Sequence, residues 1–420
     1  MDQTGPAPRA GVRVVLAVPG FARLWAVGGV SNAMRQFEVL AAALFTFEIT
    51  HSALAVAAVS ACRNLPMLVF GALAGVVSES RDRKAILVAA QVVSGAASAV
   101  VAALAWSRLP APATMPWVLA AAALVSGTMW STEGATRRRM IGETMVPSLL
   151  ARGFALDSLT TALVRLAGPL AAGIAFQELG LAGAYTISAT CYAGATMLAL
   201  GVRNRQARPA RGGRHVGRDL IEGLRFAWGH PVIAGVLGVT VITNVFAFSY
   251  IALVAPVAER QFGVSASLVG VLAASEPVGA LLAGSWLARN GAPCPGRMLM
   301  VGGSMLFLAA VAAMPRMPVF AFACLAMIPG GFGTAAFSAM QTALVTAHAP
   351  AEIRSRLLGL LTVCIGFGPL GILATGALAH AFGDANALDA MAAIGLVAMS
   401  LVGRRWRRQE IAAARRQATG

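Results

Sequence analysis

Long apolar segments alternate with clusters of basic residues along the whole chain, and this alternation constrains the fold more than any other feature. Of the 33 Lys and Arg residues, 27 fall into seven clusters, which lie at residues 9–23, 81–84, 137–152, 203–225, 289–297, 354–356 and 404–416. Lys and Arg near the ends of membrane helices are retained on the cytoplasmic side. The pattern therefore predicts a multi-pass membrane protein with both termini in the cytoplasm.

Composition supports a membrane location. The chain is 58% hydrophobic and only 12% charged, with a mean hydropathy of +0.73, which is outside the range of soluble globular domains. A net charge of +16 could suggest nucleic acid, but arginines spread over many short loops do not form one groove-tracking surface. We expect anionic lipid headgroups as the counter-charge, no nucleic-acid partner, and a location in a bacterial inner (plasma) membrane.

Twelve apolar segments are long enough to be membrane-spanning helices, since about twenty residues cross the hydrocarbon core. The predicted spans are residues 24–47, 54–77, 85–106, 117–136, 158–176, 182–202, 232–256, 267–288, 298–314, 319–345, 357–378 and 385–402. This arrangement places every basic cluster on one face. The predicted fold is an all-α polytopic membrane protein.

The two halves of the chain carry a shared motif. Gly168 and Pro169 in the fifth span are matched by Gly368 and Pro369 in the eleventh, an offset of 200 residues. Six spans in each half indicate two pseudo-symmetric six-helix bundles with a cavity between them, an arrangement that rocks rather than forming a fixed pore.

A long basic segment separates the two bundles. We predict an N-terminal bundle at residues 1–202, a cytoplasmic linker at 203–230 and a C-terminal bundle at 231–420. The linker ends in RDLIEGLRFAW, whose apolar spacing predicts a short amphipathic helix on the inner leaflet. A disordered regulatory segment is the alternative.

A family resemblance rests on two stretches of sequence. GALAGVVSESRDRKAIL resembles the loop signature of the major facilitator superfamily, and RNLPMLVFGALAGVVSESRDRK with RSRLLGLLTVCIGFGPLG looks most like its branch of siderophore and multidrug exporters. The chain departs from the pattern at Glu79, Ser80 and Asp82, where the family usually has Asp, Arg and often Gly. The predicted fourth span also lacks the internal Arg of many proton antiporters in the superfamily.

The loop after the second span is the first candidate functional element. Glycines four residues apart allow close helix packing, and the resemblance implies that the charged residues latch the two bundles in one state. The alternative is that these charges only set topology. The residues are Gly71, Gly75, Glu79, Asp82, Arg83 and Lys84.

The two Gly-Pro pairs are the second candidate element. Proline removes a backbone hydrogen bond, which a membrane helix tolerates when its neighbours replace that bond. The resemblance implies a flexing motif at Gly168 and Pro169, and a static kink is the alternative. Gly368 and Pro369 would act in the same way.

Charged residues inside the predicted spans are the third candidate, because an ionised side chain at mid-bilayer costs at least about 2.5 kcal/mol and usually faces a wet interior. Arg35 and Glu38 share a helix face, so they either neutralise each other or contribute to coupling. The candidate proton-coupling residues are Glu38, Glu133 and Glu276, and the candidate charge partners are Arg35, Arg63 and Arg165.

Glu276 is the most isolated of these carboxylates in sequence. It lies in LVGVLAASEPVGALLAG with no basic neighbour. A carboxylate so far from water is a candidate for taking up and releasing a proton during a transport cycle. The alternative is a neutral Glu hydrogen-bonded within the bundle and followed by a kink at Pro277.

Aromatic residues in the predicted cavity helices could stack on a planar or amphipathic substrate, although most aromatic residues of such a protein face lipid or core. Trp130 and Phe248 belong to this group, and the glycine-dense tenth span adds the hydrogen-bonding residue Ser338. The residues we predict to form the substrate cavity are Phe37, Phe246, Tyr250, Phe337 and Gln341.

The function that these features favour is proton-coupled efflux of a small organic molecule, such as a drug, a siderophore or a secondary metabolite, by a monomer. The export direction comes from the resemblance alone. An importer, a non-transporting sensor and a permease subunit working with a partner ATPase are the alternatives. The single lysine, Lys84, is not in a P-loop, and no histidines have HExxH spacing. We therefore expect no enzyme activity, cofactor or metal.

Overall fold

Helices account for nearly all of the chain that the computed structural model describes, which is residues 12–18, 20–80, 82–109, 111–202, 216–350 and 353–419. The α-helices are α1 Val12–Leu16, α2 Phe21–Thr50, α3 Ala53–Ser80, α4 Arg83–Ser107, α5 Met115–Thr144, α6 Pro147–Leu200, α7 Val216–Gly229, α8 Pro231–Ile242, α9 Val254–Phe262, α10 Ala266–Asn290, α11 Gly296–Ala313, α12 Phe320–His348, α13 Arg354–Ile365, α14 Gly368–Phe382 and α15 Asp384–Thr419.

These helices make twelve membrane crossings. Nine segments of the described chain are long and apolar enough to cross a bilayer. One of them, Ser148–Leu200, contributes two crossings, because Gly180 breaks α6 with a φ of 63° and a ψ of −169°. The charged helix α2 and the apolar segment Ala53–Leu68 of α3 supply the remaining two. The predicted all-α, twelve-helix fold is therefore confirmed.

The crossings form two halves, which we call the N half (α2–α6) and the C half (α8–α15). In the N half α2 packs on α6 and α3 on α5, while in the C half α12 packs on α10 and α11. Residues 203–215 of the predicted linker lie outside the described residues. The second part of the linker, α7, is a helix as predicted.

The two Gly-Pro motifs have different backbone structures. α6 runs through Pro169 without interruption, whereas α13 ends at Ile365 and α14 begins at Gly368 with Pro369 in its first turn. Because proline lacks a backbone N–H, it fits a helix start better than a helix interior. The seventh crossing is also irregular, with a π-helix at Thr243–Ala247 and a 3-10 helix at Phe248–Leu253 between α8 and α9.

Close packing joins the halves along two seams, α6 on α10 and α3 on α14. A Cβ added at Gly173 of α6 would lie 2.5 Å from the carbonyl oxygen of Ala266, and one at Gly376 of α14 would overlap Cβ of Ala57. Larger side chains would not fit at either glycine. Small residues thus let the helices of opposite halves touch.

Both seams lie toward the arginine-poor end of the molecule, which we define by the connections at 51–52, 108–114, 263–265 and 314–319. There the Arg260 guanidinium of the C half donates to the His51 carbonyl oxygen of the N half and lies 4.8 Å from the Phe47 ring centroid. Arg260 also pairs with Asp384 at 3.1 Å. These contacts hold the two halves together at this end. The opposite end, where α5 leads into α6 and α12 into α13, is the basic end.

The fourth crossing is longer than predicted. The expected span stopped at Thr136, but α5 continues to Thr144 and carries Arg137, which is only 3% exposed. The expectation that this helix contains no internal arginine is therefore wrong. The extra two turns project beyond the apolar core, where a hydropathy-based boundary cannot detect them.

Candidate functional site

A central cavity of about 780 Å³ lies between the two halves. Its volume is within the range of small-molecule sites. The N half contributes residues from α2, α3, α5 and α6, and the C half contributes residues from the seventh crossing and from α10, α12, α13 and α14. The polar and aromatic lining residues include Asn32, Arg35, Gln36, Asn64, Trp130, Arg138, Arg165, Asn244, Phe248, Tyr250, Glu276, Phe337, Ser338, Gln341 and Arg356.

The predicted cavity residues divide into two groups. Tyr250, Phe337 and Gln341 line the cavity, as do Trp130 and Phe248. Phe37 and Phe246 do not. Phe37 is 3% exposed within the apolar core, and Phe246 packs partly buried against the same core, so their predicted place in the substrate cavity is wrong. The sequence predicts the helix but not the rotation of the helix about its axis.

An ion pair inside the cavity joins the halves. Nη2 of Arg165, on α6, lies 2.7 Å from Oε2 of Glu276, on α10. The Thr334 hydroxyl of α12 donates to the other carboxylate oxygen of Glu276. Only 2% of the Glu276 side chain is exposed, against 33% for Arg165. Glu276 has no basic neighbour in sequence, but it has one in space.

Glu38 is held entirely by its own half. Its Oε2 accepts from Arg63 Nη1 at 2.6 Å, and its Oε1 accepts from the hydroxyls of Ser98 and Ser188 at 2.5 Å each. These partners come from α3, α4 and α6. Glu38 is 2% exposed and lies outside the lining of the central cavity.

The interpretation that Arg35 and Glu38 neutralise each other is wrong. Arg35 Nη2 donates to Asn64 Oδ1 at 2.8 Å, and its guanidinium carbon lies 4.1 Å from the Trp130 ring centroid. Glu38 takes Arg63 instead because α3 presents that guanidinium on the inner side of α2. Residues three apart share a helix face, yet tertiary contacts decide which charges pair.

Glu133 belongs to a second buried network in the N half. Arg137 Nε donates to Glu133 Oε1 at 3.0 Å, and Arg137 Nη1 donates to Asp157 Oδ1. Gly28 makes room for this arginine, because a Cβ there would overlap the guanidinium carbon. Sequence reasoning missed Arg137 and Asp157 as partners, since both lie next to a cluster that looks like loop charge.

The predicted loop motif is placed only in part. Gly71, Gly75 and Glu79 lie in α3, but their surroundings are outside what the structure describes. Asp82 caps α4, accepting from the Lys84 backbone N–H at 2.9 Å. Arg83 is 2% exposed and donates to Glu143 of the same half. For the described members, the contacts above are within the N half.

The two Gly-Pro pairs both reach functional surfaces. Pro169, Gly368 and Pro369 line the cavity, while Gly168 packs against α2, where an added Cβ would lie 2.7 Å from Cβ of Gln36. Sequence reasoning also missed the cavity amides, among them Asn32, Gln36, Asn64 and Asn244. Their polarity within apolar spans was the available signal.

Comparisons with known proteins agree with this architecture. The family model described as transmembrane secretion effector matches residues 14–419. Comparison with curated proteins by sequence finds no match.

Several solved transporter structures share the fold. The nucleoside transporter NupG, solved as a point mutant, has a TM-score of 0.72 at 13% identity over 92% of this chain and 99% of that one. The peptide transporter POT, solved as a point mutant in complex with alafosfalin, has a TM-score of 0.73 at 10% identity over 93% and 94%. A bacterial homologue of the human lysosomal transporter Spinster, in an inward-facing and unoccupied conformation, has a TM-score of 0.66 at 15% identity over 92% and 97%. At these identities the likeness concerns the fold alone.

A family match over nearly the whole chain, twelve crossings in two halves and a cavity between those halves lead to one conclusion. The chain belongs to the transmembrane secretion effector family of major facilitator superfamily membrane transporters.

Proposed function

We propose that the chain is a proton-coupled secondary transporter that exports a small organic molecule by alternating access. In this proposal Glu276 carries the proton. The observation that carries it is the Arg165–Glu276 pair, a 2.7 Å contact between the two halves inside the central cavity. No other intramembrane carboxylate among the described residues has both this position and this partner.

The pair offers a direct route from proton binding to movement. With Glu276 ionised, its attraction to Arg165 favours the arrangement in which α6 and α10 are close. Protonation removes the carboxylate charge while arginine stays charged, so the contact loses its ionic component. The halves can then rock about the cavity, and release of the proton restores the pair.

Glu38 and Glu133 are less suited to this role. Each pairs with an arginine of its own half, Arg63 and Arg137, so protonation of either would not alter a contact between the halves. We propose that they stiffen the N half. This narrows the three candidate proton carriers to Glu276.

Export is the proposed direction because the matching family is described as a secretion effector. The proposed setting is a bacterial inner membrane with the basic end and both termini in the cytoplasm, following the distribution of arginines. The proposed working unit is a monomer, since the cavity lies within one chain.

Transport in proteoliposomes tests the proposal. The purified protein is reconstituted with an imposed pH gradient, and movement of ethidium and of 5-carboxyfluorescein is followed by fluorescence. We expect gradient-driven movement of at least one probe by the wild type and none by Glu276→Gln. Glu410→Gln is the matched control, since Glu410 pairs with Arg297 at 2.9 Å away from the cavity.

Two outcomes would contradict the proposal. One is gradient-driven movement by Glu276→Gln at the wild-type rate, and the other is movement of neither probe by the wild type. The sign of the gradient that drives accumulation distinguishes export from import.

A further inference from the structure

We propose that the central cavity binds a small organic anion, with its acidic group on Arg35 and its apolar or aromatic body against the C half. This inference rests on the proposed transport function and names the class of molecule carried. It begins from the charge of the lining. Of its charged residues, four are arginines and one is a carboxylate, namely Arg35, Arg138, Arg165, Arg356 and Glu276.

The single carboxylate is already engaged. Both oxygens of Glu276 have partners, Arg165 on one side and the Thr334 hydroxyl on the other. A cationic substrate would have to displace Arg165 from this pair. The cavity therefore has no ready acceptor for a positive charge, and its net charge favours a negative one.

Arg35 is the cation that lacks a counter-charge. Among the described residues it has no carboxylate within ion-pair distance, and its hydrogen bond goes to the neutral amide oxygen of Asn64 at 2.8 Å. Arg63 and Arg165 are near enough for their like charges to act on it. An arginine inside the membrane region usually pairs with an anion, so the geometry assigns that role to the substrate.

The groups around Arg35 fix its orientation. The guanidinium lies over the Trp130 ring at 4.1 Å, and the Trp130 indole N–H donates to Asn32 Oδ1 at 3.1 Å. One edge of the guanidinium is occupied by Asn64, so donors remain for a carboxylate, which matches the planar fork of arginine. All four side chains line the cavity.

The opposite wall suits an apolar body. Phe248, Tyr250 and Phe337 of the C half line the cavity, and the rings of Phe248 and Phe337 are 6.4 Å apart. Aromatic faces at this spacing can contact a flat ring. The substrate would therefore bridge the halves, with its acid on the N half and its body on the C half.

Two further arginines mark the route toward the basic end. Arg356 lines the cavity and pairs with Glu222 of α7 at 2.6 Å, and Arg138 is exposed on α5. A positive rim attracts anions and raises their local concentration. An anion that enters from this end would meet Arg138 and Arg356 before Arg35.

Binding of three matched naphthalenes to the full-length protein in detergent tests the inference. The probes are tritium-labelled 2-naphthoate, 2-naphthylmethanol and 2-naphthylmethylammonium, measured by equilibrium dialysis. We expect 2-naphthoate to bind about tenfold or more tightly than the alcohol, as for a charge-assisted contact. Arg35→Gln should remove this preference while leaving the affinity for the alcohol unchanged, and Arg35→Lys should retain part of it. Arg289→Gln, an exposed arginine away from the cavity, should bind like the wild type.

Equal affinity for the anion and the alcohol, tighter binding of the ammonium, an unaltered preference in Arg35→Gln, or no binding of any probe would each overturn the anion assignment. An unfolded Arg35→Gln is recognised by its loss of alcohol binding, and Arg35→Lys then decides. The transport proposal is judged separately by the pH-gradient response that Glu276→Gln removes. A protein that moves ethidium in response to the gradient and does not prefer 2-naphthoate would keep the transport function and lose this substrate class.

Discussion

At the scale of single residues, the N half neutralises its buried charge internally. Glu38 pairs with Arg63, and Arg137 bridges Glu133 and Asp157. Removing one member of a buried pair leaves the other charge without compensation, which costs far more than the pair itself contributes. The N half should therefore depend on these pairs being intact or absent together.

Arg63→Met should destabilise the protein by about 3 to 5 kcal/mol, because it leaves the Glu38 carboxylate buried and unpaired. The double variant Glu38→Gln with Arg63→Met should lose less than the single variant. The free energy of unfolding in mixed detergent–SDS micelles measures both. Arg316→Met, whose side chain is 54% exposed in its pair with Asp389, is the control and should cost no more than about 1 kcal/mol. Additive losses in the double variant would rule out the uncompensated charge as the cause.

At the scale of helices, glycines and helix breaks determine where the two halves can separate. Gly173 and Gly376 permit the close approach of α6 to α10 and of α3 to α14. The eleventh crossing is interrupted between Ile365 and Gly368, which allows α14 to move relative to α13. The seams and the break are thus candidate moving parts, whereas the ion-paired N half is rigid.

Gly376→Val should push α14 away from α3 and increase the population that is open at the arginine-poor end. Spin labels at Leu109→Cys and Val319→Cys, with the native cysteines replaced by alanine, report the separation of the halves by pulsed electron resonance. Both positions are exposed. A longer distance than in the parent protein is expected. Gly194→Val should leave the distance unchanged, because an added Cβ there meets nothing within 4 Å. An unaltered distance in Gly376→Val would show that this seam does not hold the end closed.

The sequence predicts the number of crossings well, because each apolar run must match the thickness of the hydrocarbon core. It predicts helix ends poorly where a helix continues into polar surroundings, as α5 does beyond Thr136. It identifies charges inside spans, but the choice of Arg63 over Arg35 as the partner of Glu38 depends on the rotation and packing of three helices. The placement of Phe37 in the core rather than the cavity depends on the same rotation.

At the scale of the whole molecule, contacts between the halves cluster at the arginine-poor end and at the centre of the cavity. Arg260 closes the end through Phe47 and His51, and Arg165 meets Glu276 in the middle. The central contact contains a carboxylate, so its ionic strength depends on proton binding. A change of pH should therefore move the halves as bodies rather than unfold them.

Lowering the pH should lengthen the distance between the labels at Leu109→Cys and Val319→Cys, because a protonated Glu276 no longer attracts Arg165. The distance distribution in nanodiscs, recorded across a pH series, measures this shift without any substrate. Glu276→Gln should show the low-pH distribution at every pH. The parent response would persist in Glu276→Gln if another group carried the proton.

The stacking of Arg35 on Trp130 gives the protein an optical reporter of its own. An indole emits according to the charge and polarity next to its ring, and this ring is covered by a guanidinium that the proposed anion would engage. Occupancy of the cavity should therefore change the emission of one tryptophan, which makes ligand entry visible in the unlabelled protein.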